Sequence, residues 1–197
     1  LHDSVAGMLQ MLLRLIGENS SIDGRPAAEP VPVKVDPAQI DQILANLCVN
    51  ARDAIAGIGA ITIETATASF DQRAAAGLEG AAPGDYVVLS VRDTGCGMDE
   101  DTLSHLFEPF FTSKGFGKGT GLGLATIYGI VSQNHGYILA DSRPGAGATF
   151  KIHLPRHADA EAPFRPAFPA PADARGEATI LLVEDEETIL NLTARML

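Results

Sequence analysis

Cations are scarce in this sequence: 14 lysines and arginines stand against 25 aspartates and glutamates, a formal net charge of −11 over 197 residues. A chain this acidic repels nucleic acid and anionic membrane, so nucleic acid is not expected as a partner, while a membrane tether elsewhere in the full-length protein stays open. Any phosphate ligand must then be held by local groups together with a cation, which points to Mg²⁺. Long apolar runs are missing as well. Arg14 interrupts even "MLQMLLRLIG", so nothing approaches the roughly 18 residues of a membrane span, and no secretory signal pattern is visible. Cysteine is limited to Cys48 and Cys96, which have neither metal-ligand spacing nor the density of a secreted disulfide framework. A reduced, cytoplasmic pair is expected. The remaining composition, 46% hydrophobic and 20% charged, is that of a soluble globular protein with room for one good core and part of a second domain.

Along the chain, Val5, Met8, Leu9, Leu12, Leu13 and Ile16 fall at helical spacing between a cap at Asp3 or Ser4 and a stop at Gly17. "PVPVKVD" reads as a short extended stretch. Asp36 and Pro37 then stand at the cap and first turn of a second helix running to about Ile55. "GAITIETATAS" and "DYVVLSVRDTG" read as strands joined by a flexible Ala/Gly-rich excursion, "FDQRAAAGLEGAAPG". A short helix is predicted over "DEDTLSHLF" and another from the glycine cluster to about Gln133. "GYILADS" and "GATFKIHLP" form a hairpin. Residues 156–176, rich in proline and alanine, read as a linker, and residues 177–197 as the start of a second domain, too short to bury a core alone.

Three stretches carry chemistry. On the wheel of "QIDQILANLCVNARDAI", Ile40, Ile43, Leu44, Leu47, Ala51, Ala54 and Ile55 form the apolar face, and Asn46, Asn50 and Asp53 line its edge. The amide oxygen of Asn50 is a hard neutral donor suited to a Mg²⁺ already held by phosphate oxygens. Arg52 falls on the far side of the wheel from Asn50. In "VRDTGCGM", Asp93 follows a strand and precedes Gly95 and Gly97, so a carboxylate sits where bare backbone admits a flat ligand. Such a group selects adenine through its exocyclic amino group. "DTG" also occurs around aspartic-protease carboxylates, but that reading predicts an all-β chain. "LFEPFFTSKGFGKGTGLGLAT" joins an aromatic plug, Phe107, Phe110 and Phe111, to a glycine-rich loop ahead of a helix. Lys114 and Lys118 there neutralise phosphate, and the amides around Gly119 to Leu124 meet it at the positive end of the helix dipole. The stretch has neither the G-x-G-x-x-G spacing of a dinucleotide fold nor the Ser/Thr after lysine of a P-loop.

Taken in order, "NLCVNARDAI", "DTGCGM", "LFEPFFTSK" and "GTGLGLAT" resemble the ATP-binding catalytic domain of sensor histidine kinases, over residues 1–155. The resemblance implies a two-layer α/β sandwich (Bergerat fold), a mixed sheet with helices on one face and a mobile lid over the nucleotide. It implies ATP and Mg²⁺ as cofactors, with Asn50 on the metal and Asn46 and Asp53 on the phosphate side. Asp93 would bind the adenine amino group, and Gly95, Gly97 and Met98 would shape its pocket. Lys114, Lys118, Gly119, Thr120, Gly121, Leu122, Gly123 and Leu124 would wrap the triphosphate. Asn46 and Asn50 are the catalytic pair under this reading.

The resemblance also implies partners: an upstream dimerisation and histidine phosphotransfer domain, a homodimeric full-length protein, and a downstream phosphotransfer protein or response regulator. The tail "ILLVEDEE" resembles the first strand of a receiver domain, with Glu184 and Asp185 at its acidic pair, which implies a hybrid kinase with a receiver in cis. Two positions depart from the pattern. Asp53 stands where many histidine kinases carry lysine, and Ala148 where related ATPases often carry threonine. His2 is too close to Asn50 to be the phosphate acceptor. Related ATP hydrolases carry a glutamate four residues before the metal-binding asparagine; here that position is Asn46, which favours transfer over hydrolysis. A regulatory nucleotide-binding module without catalysis is the remaining alternative.

Overall fold

The structure, a computed structural model, describes residues 1–16, 20–25, 27, 32–72, 82–112 and 120–157, all within the compact unit Leu1–Ala160. The linker and the receiver-like tail lie outside the described residues. The chain order is α1 (His2–Ile16), β1 (Ser20–Arg25), α2 (Pro37–Ala54), β2 (Gly59–Phe70), β3 (Gly84–Asp93), α3 (Glu100–Ser104), α4 (Gly123–Gln133), β4 (Tyr137–Ser142) and β5 (Ala148–Pro155). The five strands form one mixed sheet in the order β1-β2-β3-β5-β4. β1 runs parallel to β2, and the other pairings are antiparallel.

Helix α2 follows its local chemistry. The Asp36 carboxylate accepts from the Ala38 N–H at 2.9 Å, and Pro37 opens the first turn, where its missing N–H costs nothing. Its buried face is Ile40, Ile43, Leu44, Leu47 and Ala51, as the wheel predicts, together with Cys48. Ala54 and Ile55 are only half-buried, because the helix ends there. Burial pushes the Cys48 thiol up to about 12, so it stays protonated. Both cysteines are free. Helix α1 begins at His2, which puts Asp3 and Ser4 inside its first turn instead of ahead of it. α3 is shorter than its sequence pattern, ending before His105, and is capped by Asp99 on the Thr102 N–H at 2.9 Å.

Strand alternation sorts the sheet into two faces. Ile61, Ile63, Leu89, Val91, Phe150 and Ile152 turn inward against Leu12 of α1, the apolar face of α2, and Ile127 and Val131 of α4. Each such side chain, fully removed from water, contributes roughly 1.5–3 kcal/mol. β1 has no counterpart in the sequence reading. Its only apolar residue, Ile22, gives no alternation to detect, and it is recruited by pairing with β2 and by the cover of α1, whose Leu9 lies 3.0 Å from where a Cβ on Gly24 would stand.

The opposite face carries a second cluster of Phe70, Tyr86, Tyr137 and His153. The His153 ring stacks on Tyr137 at 4.3 Å and 6°, and Phe70 and Tyr86 meet the pair edge-on. His153 is 4% exposed, and among the described residues its Nδ1 has no hydrogen-bond partner. Desolvation therefore holds its pKa below the ordinary 6.5. In the unfolded chain the same imidazole protonates normally, so the unfolded state binds more protons as pH drops from about 6.5, and stability falls with it. His105, exposed and raised by its hydrogen bond to Glu108, acts in the opposite sense and weakly. Melting temperature measured from pH 7.5 to 5.5 should therefore decline, and His153→Phe should flatten that decline. An unchanged slope in the variant would reject the assignment.

Candidate nucleotide site

Asp93 closes β3 and continues the inward series Val87, Leu89, Val91, so alternation alone drives a carboxylate into the helix-facing side, 5% exposed. Desolvation raises its pKa, against two backbone donors that pull it down: the Gly95 N–H at 2.8 Å and the Ala148 N–H at 3.3 Å. Both bonds fall on Oδ1. Among the described residues Oδ2 accepts none, which leaves it for a donor on a ligand.

The floor around this carboxylate is bare backbone for steric reasons. A Cβ on Gly95 would stand 2.8 Å from both Ala54 Cβ and Asp93 Oδ1, and one on Gly97 would overlap the Arg143 carbonyl. Gly147 holds φ 76, and a Cβ there would overlap the Asp93 carbonyl. Only glycine meets both demands. Met98 is half-buried and packs on the core. The Cys96 N–H donates to the Ala54 carbonyl at 2.9 Å, which ties the loop to the end of α2.

Asn46 and Asn50 lie one turn apart on α2, both half-buried. Their amides converge on Gly123, the first residue of α4: its Cβ position lies 3.7 Å from Asn46 Oδ1 and 4.0 Å from Asn50 Nδ2. Leu122 precedes the helix with no side-chain cap. The N-terminal amides of α4, where the dipole is positive, thus open beside two carboxamides. Asp53, a turn beyond Asn50, accepts from the Arg52 guanidinium at 2.8 and 3.0 Å, so the cation nearest that position comes from its neighbour.

The glycine loop is gathered at its base. The Phe110 N–H donates to the Gly121 carbonyl at 2.9 Å, with Phe110 at φ 68 and Gly121 at φ 64. A Cβ on Gly121 would overlap the Phe110 backbone. Thr120 is exposed, and its hydroxyl accepts weakly from the Leu122 N–H at 3.4 Å. Leu124 is half-buried on the core. Lys114, Lys118 and Gly119 lie outside the described residues. The expected aromatic plug is corrected in one member. Phe107 packs on Tyr128 and Phe111 on His105, but Phe110 is 75% exposed, because the left-handed turn that lets its backbone clasp Gly121 swings the ring outward. Ser142, Gly147 and the Ala148 N–H are site elements that the motifs did not mark. The sequence marks Ala148 for its side chain alone, "GAGAT" ahead of a strand is the signal for Gly147, and nothing local marks Ser142.

A mixed sheet whose helices leave a buried acid, two carboxamides and an open helix N-terminus on one side defines a nucleotide-binding α/β sandwich. The chain belongs to the histidine kinase-, DNA gyrase B- and HSP90-like ATPases, whose family model matches residues 35–158. Within that family it is an ATP-binding catalytic domain of the sensor histidine kinase type. It is similar to sensor kinase CckA of Brucella abortus, 42% identical across 96% of this chain and 21% of that protein. It is also similar to the signal transduction histidine-protein kinase AtoS of Escherichia coli, 38% identical across 63% of this chain and 18% of that one. The chain thus spans about a fifth of the length of these relatives. Among solved structures, the nucleotide-free catalytic domain of histidine kinase ThkA matches at TM-score 0.57 and 26% identity, over 78% of this chain and 90% of that one. Full-length ShkA in complex with AMPPNP shares the fold at TM-score 0.59 and 24% identity, over 77% and 30% of the two chains. Among the described residues no helix is long and apolar enough to cross a membrane.

Proposed function

We propose that this chain binds Mg²⁺–ATP between α2, α4 and the Asp93 loop and delivers the γ-phosphate to a histidine on a separate dimerisation domain. The observation that carries this reading is the convergence of Asn46 and Asn50 on the uncapped N-terminus of α4. Among the described residues no cluster of histidine, cysteine or acid side chains offers a metal cage. That fits an ion held chiefly by the triphosphate and completed by one neutral oxygen, from Asn50. When bound, Mg²⁺ supplies charge neutralisation on the transferring phosphoryl group.

The chain's own residues do the rest. Asp93 Oδ2 accepts from the adenine amino group, and Gly95, Gly97 and Met98 bound the base. Asn46, Thr120 and the amides from Gly121 to Leu124 at the start of α4 orient the phosphates, joined by Lys114, Lys118 and Gly119 of the lid, with Asp53 at the rim of the phosphate side. Phosphoryl transfer asks mainly for positioning and electrostatics, with the nucleophile brought by the partner. Labelled ATP and Mg²⁺ mixed with a separately expressed acceptor domain should transfer label to it. Nucleotide binding without transfer would leave a regulatory module instead.

An ATP hydrolase is the second reading, and Asn46 argues against it: an amide takes no proton at neutral pH, so the general base that activates water is missing. Asn46→Glu should still bind nucleotide by isothermal titration. Complete loss of affinity would make Asn46 a structural residue.

The remaining partners belong to the same proposal. The tail "ILLVEDEE" is the feature that supports a receiver domain in cis from about residue 177, after a linker at 156–176, and the sensor-kinase relatives support a dimeric kinase with a response-regulator partner. The same proposal makes the full-length protein a homodimeric kinase with this domain in the cytoplasm, passing phosphate to a phosphotransfer protein or response regulator.

A further inference from the structure

The Ser142 side chain is 9% exposed and sits at the end of β4. Its hydroxyl makes two bonds. Oγ accepts from the Met98 N–H at 2.8 Å and donates to the Gly147 carbonyl at 2.7 Å. The second bond matters most, because the Gly147 carbonyl and the Ala148 N–H belong to one rigid peptide plane. Fixing that carbonyl aims the Ala148 N–H at Asp93 Oδ1, 3.3 Å away. The first bond fixes the Gly97–Met98 peptide, beside the Gly147 carbonyl. Gly147 itself presses on the Asp93 backbone. A single buried hydroxyl therefore ties together two peptides next to Asp93, one of which donates to its carboxylate.

We propose that Ser142 is a positioning residue that sets base specificity: through the Gly147–Ala148 peptide it occupies Asp93 Oδ1 and so presents Oδ2 to the amino group of adenine. This rests on the reading of Asp93 as the adenine-selecting acid. Without the hydroxyl the peptide loses the anchor on its carbonyl and the Ala148 bond weakens, leaving the Gly95 N–H as the remaining donor that holds Asp93 Oδ1 and so orients the carboxylate.

The test is titration of the intact chain with non-hydrolysable ATP and GTP analogues. Ser142→Ala should lower the ATP-to-GTP affinity ratio roughly tenfold, the loss of about one hydrogen bond's orienting effect. Ser142→Thr, which keeps the hydroxyl, should restore the ratio. Ser142→Cys, which preserves shape with a feebler donor, should fall between and guards against poor folding of the alanine variant. Adding Ser142→Ala to Asp93→Asn should cause no further fall, since both act on one contact. Equal weakening of both nucleotides by Ser142→Ala, with the ratio unchanged, would overturn the proposal and reduce Ser142 to a structural clamp. If Asp93→Asn also leaves the ratio unchanged, the adenine reading itself has failed; if Asp93→Asn collapses it and Ser142→Ala does not, only the present inference has.

Discussion

Asp93→Asn should weaken ATP binding about a hundredfold while leaving GTP binding unchanged or improved. The reason lies in the donor count. Asp93 Oδ1 already takes the Gly95 and Ala148 N–H groups. An asparagine that satisfies them with its oxygen must turn its NH₂ toward the adenine amino group, donor against donor. Flipped, it sets NH₂ against the two backbone donors instead. Either state loses a charge-assisted bond worth about 1.5–3 kcal/mol and leaves a buried group unpaired. Guanine presents an acceptor at the same ring position, so the substituted amide suits it better. The wild-type site should also lose ATP on acidification at a higher pH than an ordinary carboxylate would allow, because burial raises the Asp93 pKa and the protonated acid turns from acceptor to donor. Competition titrations at several pH values check both effects; an unaltered ATP preference in the variant would remove Asp93 from base recognition.

Asn50→Ala should reduce phosphotransfer roughly a thousandfold, the several kcal/mol expected when a metal-held phosphoryl group loses its protein anchor. The diagnostic lies in the metal dependence. In EDTA, wild type and variant should bind ATP alike, whereas only the wild type should gain affinity as Mg²⁺ is added. Asn50 is on the surface edge of α2 and outside its buried face, so the helix should fold in either case. Equal transfer rates, or equal Mg²⁺ dependence, would remove the metal role from Asn50.

Much of this architecture was readable because local rules and tertiary demands coincide. Asp36 and Pro37 start α2 by capping chemistry alone, and the period of 3.6 exposes its buried face down to Ala51. The alternation of Val87, Leu89 and Val91 carries Asp93 inward without help from distant residues. β1 was invisible, since "SSIDGR" holds a strand only by pairing with β2. The outward turn of Phe110 was equally hidden, because it answers to Gly121, which lies across the glycine loop.

The amino-acid order therefore determined which groups could serve: a carboxylate after a strand, carboxamides one helical turn apart, and glycines at a helix entrance. Such features depend on residue spacing within one element. Only the assembled fold decided which of Asp93's oxygens is free, that Ser142 governs it, and that Asn46 and Asn50 meet the start of α4. Apart from the local Gly95 bond, each of those facts is a distance between segments 5 to 77 residues apart along the chain, fixed when the sheet and helices pack and written in no local pattern.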